Sequence, residues 1–115
     1  LFSMELSITS RKGGAKVNPI RKPTTEGTAK QYNFDVIGTR FLVKNLSGGD
    51  VLVGFESDLE GEDTETWLIP DGAWQVIPGA ENRIHRTTVY VRAYATSATD
   101  RGVEIEAIEY DLPRG

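Results

Sequence analysis

Apolar and polar residues alternate along most of this chain, whereas the three- and four-residue spacing of an amphipathic helix is nearly absent. Alternating segments lie at 2–8, 32–36, 40–46, 50–56, 65–69, 73–77, 87–96 and 102–110. Clusters of Gly, Pro, Asn, Asp and Ser separate them, as turns separate strands. The pattern therefore predicts an all-β fold: an antiparallel β-sandwich, or a small barrel, of about eight short strands.

The chain of 115 residues has the length of one domain, in which two regions differ in character. Residues 1–30 begin with the alternating segment Phe2–Ile8 and continue into a basic stretch rich in Gly, Pro and Thr. We predict an N-terminal strand and a basic arm there, with residues 21–30 as an irregular connection. Residues 31–115 are predicted to form the sandwich.

A Gly-rich turn predicts the first hairpin. Ser47-Gly48-Gly49 separates the alternating segments 40–46 and 50–56. An even loop would put Lys44 on the apolar face of the pair, so we favour a three-residue loop with Gly49 in the left-handed conformation. That register places one set of apolar side chains on a common face: Phe41, Val43, Val51, Val53 and Phe55.

A second turn, Pro70-Asp71-Gly72, predicts another hairpin, because Pro fixes φ and Gly permits a positive φ. A tight turn at Asp71-Gly72 would place Ile69 opposite Trp74 and Trp67 opposite Val76. All four side chains then share one apolar face, which predicts that both tryptophans lie in the core. Further along, the alternation of 102–110 slips by one residue, which predicts a β-bulge near Ala107.

Composition excludes several kinds of chemistry. The net charge of −4 and pI near 5.0 are atypical of a protein that binds nucleic acid. The sequence contains no apolar run of about 18 residues, so we predict no membrane-spanning segment. The absence of cysteine removes thiolate nucleophiles and cysteine zinc sites. His85, the one histidine, lies in a polar stretch without a second metal-ligating or catalytic partner at a suitable spacing. We therefore predict no catalytic residue, no cofactor, no metal site and no enzymatic activity.

The acidic stretch Asp58–Glu65 is the segment that comes nearest to a metal-binding motif. Asp58, Glu60, Glu62 and Asp63 offer the oxygen ligands that calcium prefers, but they lack the regular spacing of a calcium loop. A solvated acidic loop is the favoured interpretation, and cation binding there is left open.

Apolar and aromatic residues on the outward phase of the strands indicate contact surfaces. Tyr and Arg are enriched where proteins meet proteins. The candidate interface comprises Leu42, Leu46, Leu52, Tyr90, Arg92 and Tyr94. The candidate basic docking arm comprises Arg11, Lys12, Lys16, Arg21, Lys22 and Lys30.

The order of strands and turns also resembles a known class of domains. Residues 38–55 comprise a strand that ends at Lys44-Asn45, a Gly-rich turn, and a second strand that begins at Asp50-Val51. Residues 67–78 contain an Ile-Pro-x-Gly turn. Residues 88–93 and 103–107 form a terminal pair of strands. This order, over residues 38–110, is similar to small β-sandwich domains of tailed-bacteriophage virion and prophage proteins, such as head-decoration, fibre-base or tail-associated modules.

The resemblance implies a non-enzymatic subunit, commonly a symmetric homo-oligomer, that contacts itself and other virion proteins. It implies a location in the virion, which assembles in the host cytoplasm, and it carries over no functional residue. The alternative is a carbohydrate-binding module in which Trp67 or Trp74 stacks on a sugar, which requires that one tryptophan lie outside the predicted apolar face.

Overall fold

The structure, a computed structural model, describes residues 19–79 and 87–111. Within these ranges the chain forms eight strands: β1 Ile20–Lys22, β2 Ala29–Asn33, β3 Ile37–Asn45, β4 Val51–Gly54, β5 Thr66–Ile69, β6 Trp74–Pro78, β7 Thr88–Ala93 and β8 Val103–Asp111. The predictions for Phe2–Ile8, for His85 and for Arg11, Lys12 and Lys16 lie outside the described residues.

The strands form two antiparallel four-stranded sheets. The first sheet has the order β1-β8-β3-β6 and the second the order β2-β7-β4-β5. The predicted all-β fold is confirmed, and the arrangement is that of a β-sandwich.

The core lies between the two sheets and consists of side chains on their inner faces, together with Phe34 and Val36 from the connection between β2 and β3. These are Tyr32, Phe34, Val36, Phe41, Val43, Val51, Val53, Ile69, Ile77, Val89, Val91, Ala93, Val103, Ile105 and Ala107. A file of rings runs through it, with centroids 5.3 Å apart for Phe34 and Phe41, 5.8 Å for Phe41 and Phe55, and 5.9 Å for Phe55 and Trp67. The Tyr32 hydroxyl crosses from the second sheet to the first and donates to the Val103 carbonyl at 2.7 Å.

The predicted hairpin around Ser47-Gly48-Gly49 is wrong, because the two strands belong to different sheets. β3 pairs with β6 and β8, and β4 pairs with β5 and β7. The loop is a corner between the sheets, and its left-handed residue is Gly48 (φ 92°) rather than Gly49. The side chains predicted to share an apolar face are nevertheless buried in one core, to which Phe41 and Val43 contribute from the first sheet and Val51 and Val53 from the second.

The second predicted hairpin is wrong for the same reason, although its turn forms as expected. Gly72 has φ 80°, and the Ala73 N–H donates to the Pro70 carbonyl at 3.0 Å. The turn again connects the two sheets, so β6 takes its phase from β3 and not from β5. Ile77 pairs with Phe41 and is buried, whereas Trp74 and Val76 point outward.

Two local features of the first sheet involve the N-terminal region and the last strand. Residues 20–22, of which 21 and 22 were predicted to be irregular, form the edge strand β1 against β8. The predicted bulge is confirmed: Phe41 pairs with Ala107 and Arg40 with Glu109, which leaves Ile108 without a register partner on β3.

Candidate interaction surfaces

One row of side chains crosses all four strands on the outer face of the first sheet. The register places Arg21 beside Glu104, Glu104 beside Lys44, and Lys44 beside Trp74. Arg21 Nη2 lies 2.6 Å and Lys44 Nζ 3.4 Å from the Glu104 carboxylate. Lys44 Nζ also lies 4.4 Å from the centroid of the Trp74 ring, a cation–π contact. The row therefore links a buried carboxylate to the most exposed tryptophan through one lysine.

The charge of Glu104 is held by its cationic neighbours. Hydrogen bonds from Arg21 and then from Lys44 lower the pKa of this carboxyl below its ordinary value, although burial acts in the opposite direction. Glu104 is thus ionised wherever the fold is intact near neutral pH, and it fixes both cations on the sheet.

Trp74 lies on solvent and not in the core, which corrects the prediction made for it. Its exposed fraction is 62 %, the largest among the big apolar side chains of the described ranges. Val76, on the same strand and face, is 38 % exposed, and Leu42 lies opposite it on β3. Trp67 remains half-buried against the core, in an edge-to-face contact with Phe55. One tryptophan therefore satisfies the geometric condition for a stacking platform, and the other does not.

The outer face of the second sheet carries a second row of large side chains. The register aligns Ala29, Arg92, Leu52 and Leu68 across β2, β7, β4 and β5. Leu68 is 54 % exposed, and Leu52 and Arg92 are half-buried. Tyr90 lies on the same face, two residues before Arg92 on β7. Arginine and tyrosine are enriched at protein interfaces, and the neighbouring leucines add apolar surface to them.

The acidic loop covers part of this same face. Leu59 is buried yet lies outside the core cluster, and a Cβ on Gly54 would come within 2.8 Å of its Cδ2. Leu59 is therefore packed over the outward side of β4, where glycine leaves room for it. This contact anchors the loop to the sheet.

Glu60, the next residue, contacts two residues of the candidate interface, Arg92 and Tyr94. Its Oε2 lies 3.3 Å from Arg92 Nε, and the Tyr94 hydroxyl donates to it at 3.3 Å. Burial and the neighbouring Glu60 raise the pKa of Tyr94. Arg92 Nε is buried and is not aligned for a hydrogen bond, so the ion pair with Glu60 is an imperfect one.

The six predicted interface residues do not form one surface. Leu42 lies on the outer face of the first sheet, while Leu52, Tyr90 and Arg92 share the outer face of the second, because β3 and β4 belong to different sheets. Leu46 follows β3 at the corner and is half-buried. Tyr94, 45 % exposed, follows β7 and reaches Glu60.

The described members of the basic arm are spread over two strands. Arg21 is bound to Glu104, and Lys22 Nζ lies 5.7 Å from the Tyr32 ring centroid. Lys30 is half-buried on β2. The part of the arm that the structure describes is therefore incorporated into the sheets.

Leu68 and Val76 belong to the exposed surfaces but were not singled out from the sequence. Both lie in strands whose inward-facing and outward-facing residues were assigned from the predicted hairpin, which does not form. The Ile-Pro ending shared by 66–70 and 74–78 is a signal that the two strands have equivalent phases: Ile69 and Ile77 are both buried, and Leu68 and Val76 are both exposed.

Across residues 19–79 and 87–111, no cluster of three or more His, Asp or Glu side chains has an arrangement that would hold a metal ion. No helix in the same ranges has the length and hydropathy needed to cross a bilayer. Comparisons with protein-family models, curated proteins and solved structures find no match to this chain.

Proposed function

We propose that this chain is a non-enzymatic structural subunit of a tailed-bacteriophage virion, a head-decoration, fibre-base or tail-associated module that acts through protein–protein contacts and self-assembly. Two features support the proposal: the resemblance of residues 38–110 to such domains, and a sandwich whose two outer faces both carry large apolar side chains. The partners are other virion proteins and further copies of the chain.

The observation that carries the proposal is the outer face of the second sheet. Leu68 is 54 % exposed beside Leu52 and Arg92, and Tyr90 adjoins them on β7. Burying such a cluster would release apolar surface from water and would give Arg92 access to a well-aligned carboxylate of a partner. A row of partly exposed apolar side chains beside tyrosine and arginine is typical of a docking surface.

Particles from a prophage-induced culture of the source organism test the proposal. We expect an antibody against the chain to detect it in density-gradient fractions that hold capsids or tails, and gold-labelled antibody to mark one site on the particle. Leu68→Asp should reduce incorporation, whereas Thr88→Asp, near the far end of β7, should not. A chain found solely in the particle-free fractions would contradict the proposal.

The second candidate is a carbohydrate-binding module, which the exposure of Trp74 favours. The indole lies on the outer face of β6 with Lys44 against its ring, and Val76 extends the apolar surface beside it. An aromatic face held in place by a lysine can stack on the apolar face of a pyranose while the ammonium group contacts hydroxyl groups.

A glycan array with matched tryptophan variants distinguishes this candidate. Trp74→Ala should abolish glycan binding and leave the unfolding midpoint nearly unchanged, because the side chain is exposed. Trp67→Phe should retain binding, since Trp67 lies against the core. An array on which the wild-type chain binds no glycan rules out this second candidate.

A further inference from the structure

The outer edge of β6 carries backbone groups that no strand of the described residues pairs with. β6 is the last strand of the first sheet, and β3 is its neighbour. Two backbone hydrogen bonds mark the ends of the ladder between them. The Asn45 N–H donates to the Ala73 carbonyl at 3.0 Å, and the Gly79 N–H donates to the Thr39 carbonyl at 2.9 Å. Alternate residues of an antiparallel ladder point to opposite sides, so residues 73, 75, 77 and 79 face β3.

Trp74 and Val76 consequently direct their N–H and C=O groups to the outer edge. Pro78 shares this phase and has no N–H, so its ring occupies the edge without costing a bond to β3. The two residues with available backbone groups also carry exposed apolar side chains.

The edge strand β6 differs in charge from β1 and β2, the edge strands on the opposite side of the sandwich. Natural edge strands are commonly guarded by lysine or other charged residues that oppose pairing with a second chain. β1 carries Arg21 and Lys22, and β2 carries Lys30, whereas β6 reads Trp-Gln-Val-Ile-Pro and contains no charged residue. β5, the other edge strand of the second sheet, is also uncharged, but it begins directly after Glu65 of the acidic loop. A second copy can approach β6 without opposing like charges on the two strands.

We infer that β6 pairs antiparallel with β6 of a second copy of this chain, about a two-fold axis at Gln75. In this register Trp74 lies opposite Val76 of the second copy, and each residue donates its N–H to, and accepts at its carbonyl from, the residue opposite. Because 74 and 76 both have outward backbone groups, the pairing is self-complementary, and Pro78 lies beyond its end. The first sheets of the two copies become one continuous sheet, with Trp74 packed beside the other copy's Val76.

This inference rests on the self-assembly part of the proposed function and names the strand responsible. The interface is small, so it should be weak and concentration-dependent rather than obligate.

Single-cysteine variants test the register, since the natural chain contains no cysteine. At the two-fold axis the two copies of residue 75 form a non-hydrogen-bonded pair, with Cα atoms about 4.5 Å apart, a separation that a disulfide spans. Gln75→Cys should therefore form a disulfide-linked dimer under mild oxidation. Gln31→Cys, a matched change on the exposed edge strand β2, should crosslink at least about tenfold more slowly, at the rate of random collision.

Two variants of Val76 test whether the edge itself makes the contact. Val76→Pro removes an outward N–H in the phase that Pro78 already occupies, so the β3–β6 ladder should remain intact. Val76→Lys keeps the N–H and places a charge in the pair. Both should shift sedimentation equilibrium to monomer between about 1 and 500 µM protein, with circular dichroism unchanged. Combined with Gln75→Cys, each should also abolish the disulfide-linked dimer.

Amide hydrogen exchange at Trp74 and Val76 distinguishes the remaining outcomes. Slow exchange that appears as protein concentration rises supports the pairing. Slow exchange at every concentration means that another segment of the same chain covers the edge, and it overturns the inference. An oligomer that persists in both Val76 variants overturns the strand pairing but leaves the proposed self-assembly standing. A strict monomer with equal crosslinking of the two cysteine variants overturns both.

Discussion

At the scale of single residues, Asn45 holds together the corner where the chain passes from one sheet to the other. Its side chain is fully buried. Nδ2 lies 2.8 Å from the Gly49 carbonyl, 2.9 Å from that of Ile69 and 3.1 Å from that of Pro70, while Oδ1 accepts from the N–H and hydroxyl of Ser47. One amide thus satisfies backbone groups of both inter-sheet loops, which no apolar side chain can do.

We expect Asn45→Ala to lower the free energy of unfolding by about 2 to 4 kcal/mol, because it removes the donor to the buried Ile69 carbonyl and the acceptor of the Ser47 N–H. Asn45→Asp should be at least as damaging, since a carboxylate cannot donate to that carbonyl. Urea titration followed by circular dichroism measures both losses.

Asn33→Ala is the matched control, because Asn33 is exposed at the end of β2 and bonds to surface side chains. Its cost should be about 0.5 kcal/mol or less. Equal losses for the two alanine variants would show that Asn45 does not stabilise the corner.

At the scale of strands, alternation predicted where β3 to β8 lie and which side of β3, β4 and β7 is buried, but not which strands pair. In a sandwich both sheets turn an apolar face inward, so a hairpin and a crossing between sheets produce the same pattern on either side of a turn. Ser47-Gly48-Gly49 marks a turn in both cases. The pairing is decided by contacts distant in sequence, such as Phe41 with Ile77.

The same limit explains the errors in the candidate surfaces. The outward phase of Tyr90 and Arg92 was predictable, because it follows from the buried Val89 and Val91 on the same strand. The separation of Leu42 and Leu52 onto different sheets was not predictable, since it depends on whether β3 pairs with β4. The outward orientation of Trp74 was likewise not predicted, because the register with β3 overrides a local preference for burying tryptophan.

The row across the first sheet predicts how stability depends on pH. The pKa of Glu104 is lower in the folded chain than its ordinary value of 4.5, so the folded state binds fewer protons near that pH than the unfolded state. The stabilisation is therefore complete above pH 4.5 and is lost as the pH falls through the lower pKa of the folded state. Glu104→Gln should remove about 1–2 kcal/mol at pH 7 and progressively less at acid pH.

Urea unfolding of wild type and variant between pH 7 and pH 3 measures this difference. Glu106→Gln is the control, since Glu106 lies two residues along the same strand, opposite Leu42. A Glu104→Gln effect that is constant over this pH range would show that Glu104 acts through its shape and not its charge.

At the scale of the whole molecule, the two inter-sheet crossings give the sandwich its distribution of surfaces. They place β5 and β6 at the ends of different sheets, so that Leu68 is exposed on one outer face and Trp74 on the other. The chain thereby has two separate apolar surfaces and two uncharged edge strands, which suits a subunit that contacts more than one neighbour.

The two tryptophans report directly on these crossings. If 66–69 and 74–78 formed a hairpin within one sheet, as the sequence pattern predicts, both indoles would be shielded from solvent. In the sandwich with crossings, Trp74 is exposed and Trp67 packs against Phe55 and the core. Trp67→Phe, which leaves Trp74 as the one fluorophore of its kind, should therefore emit at longer wavelength and be quenched steeply by acrylamide. Trp74→Phe, which leaves Trp67, should emit at shorter wavelength and be quenched weakly.

Stability measurements on the same two variants separate exposure from loss of structure. Trp74→Phe should change the free energy of unfolding by about 0.5 kcal/mol or less, because its ring lies on the surface. Trp67→Phe should cost about 1 kcal/mol or more, because it leaves space beside Phe55. Similar, shallow quenching of both variants would mean that Trp74 is covered in solution. If that protection of Trp74 disappears in Val76→Lys, the covering surface is the second copy at the β6 edge; if it persists, another part of the same chain covers Trp74.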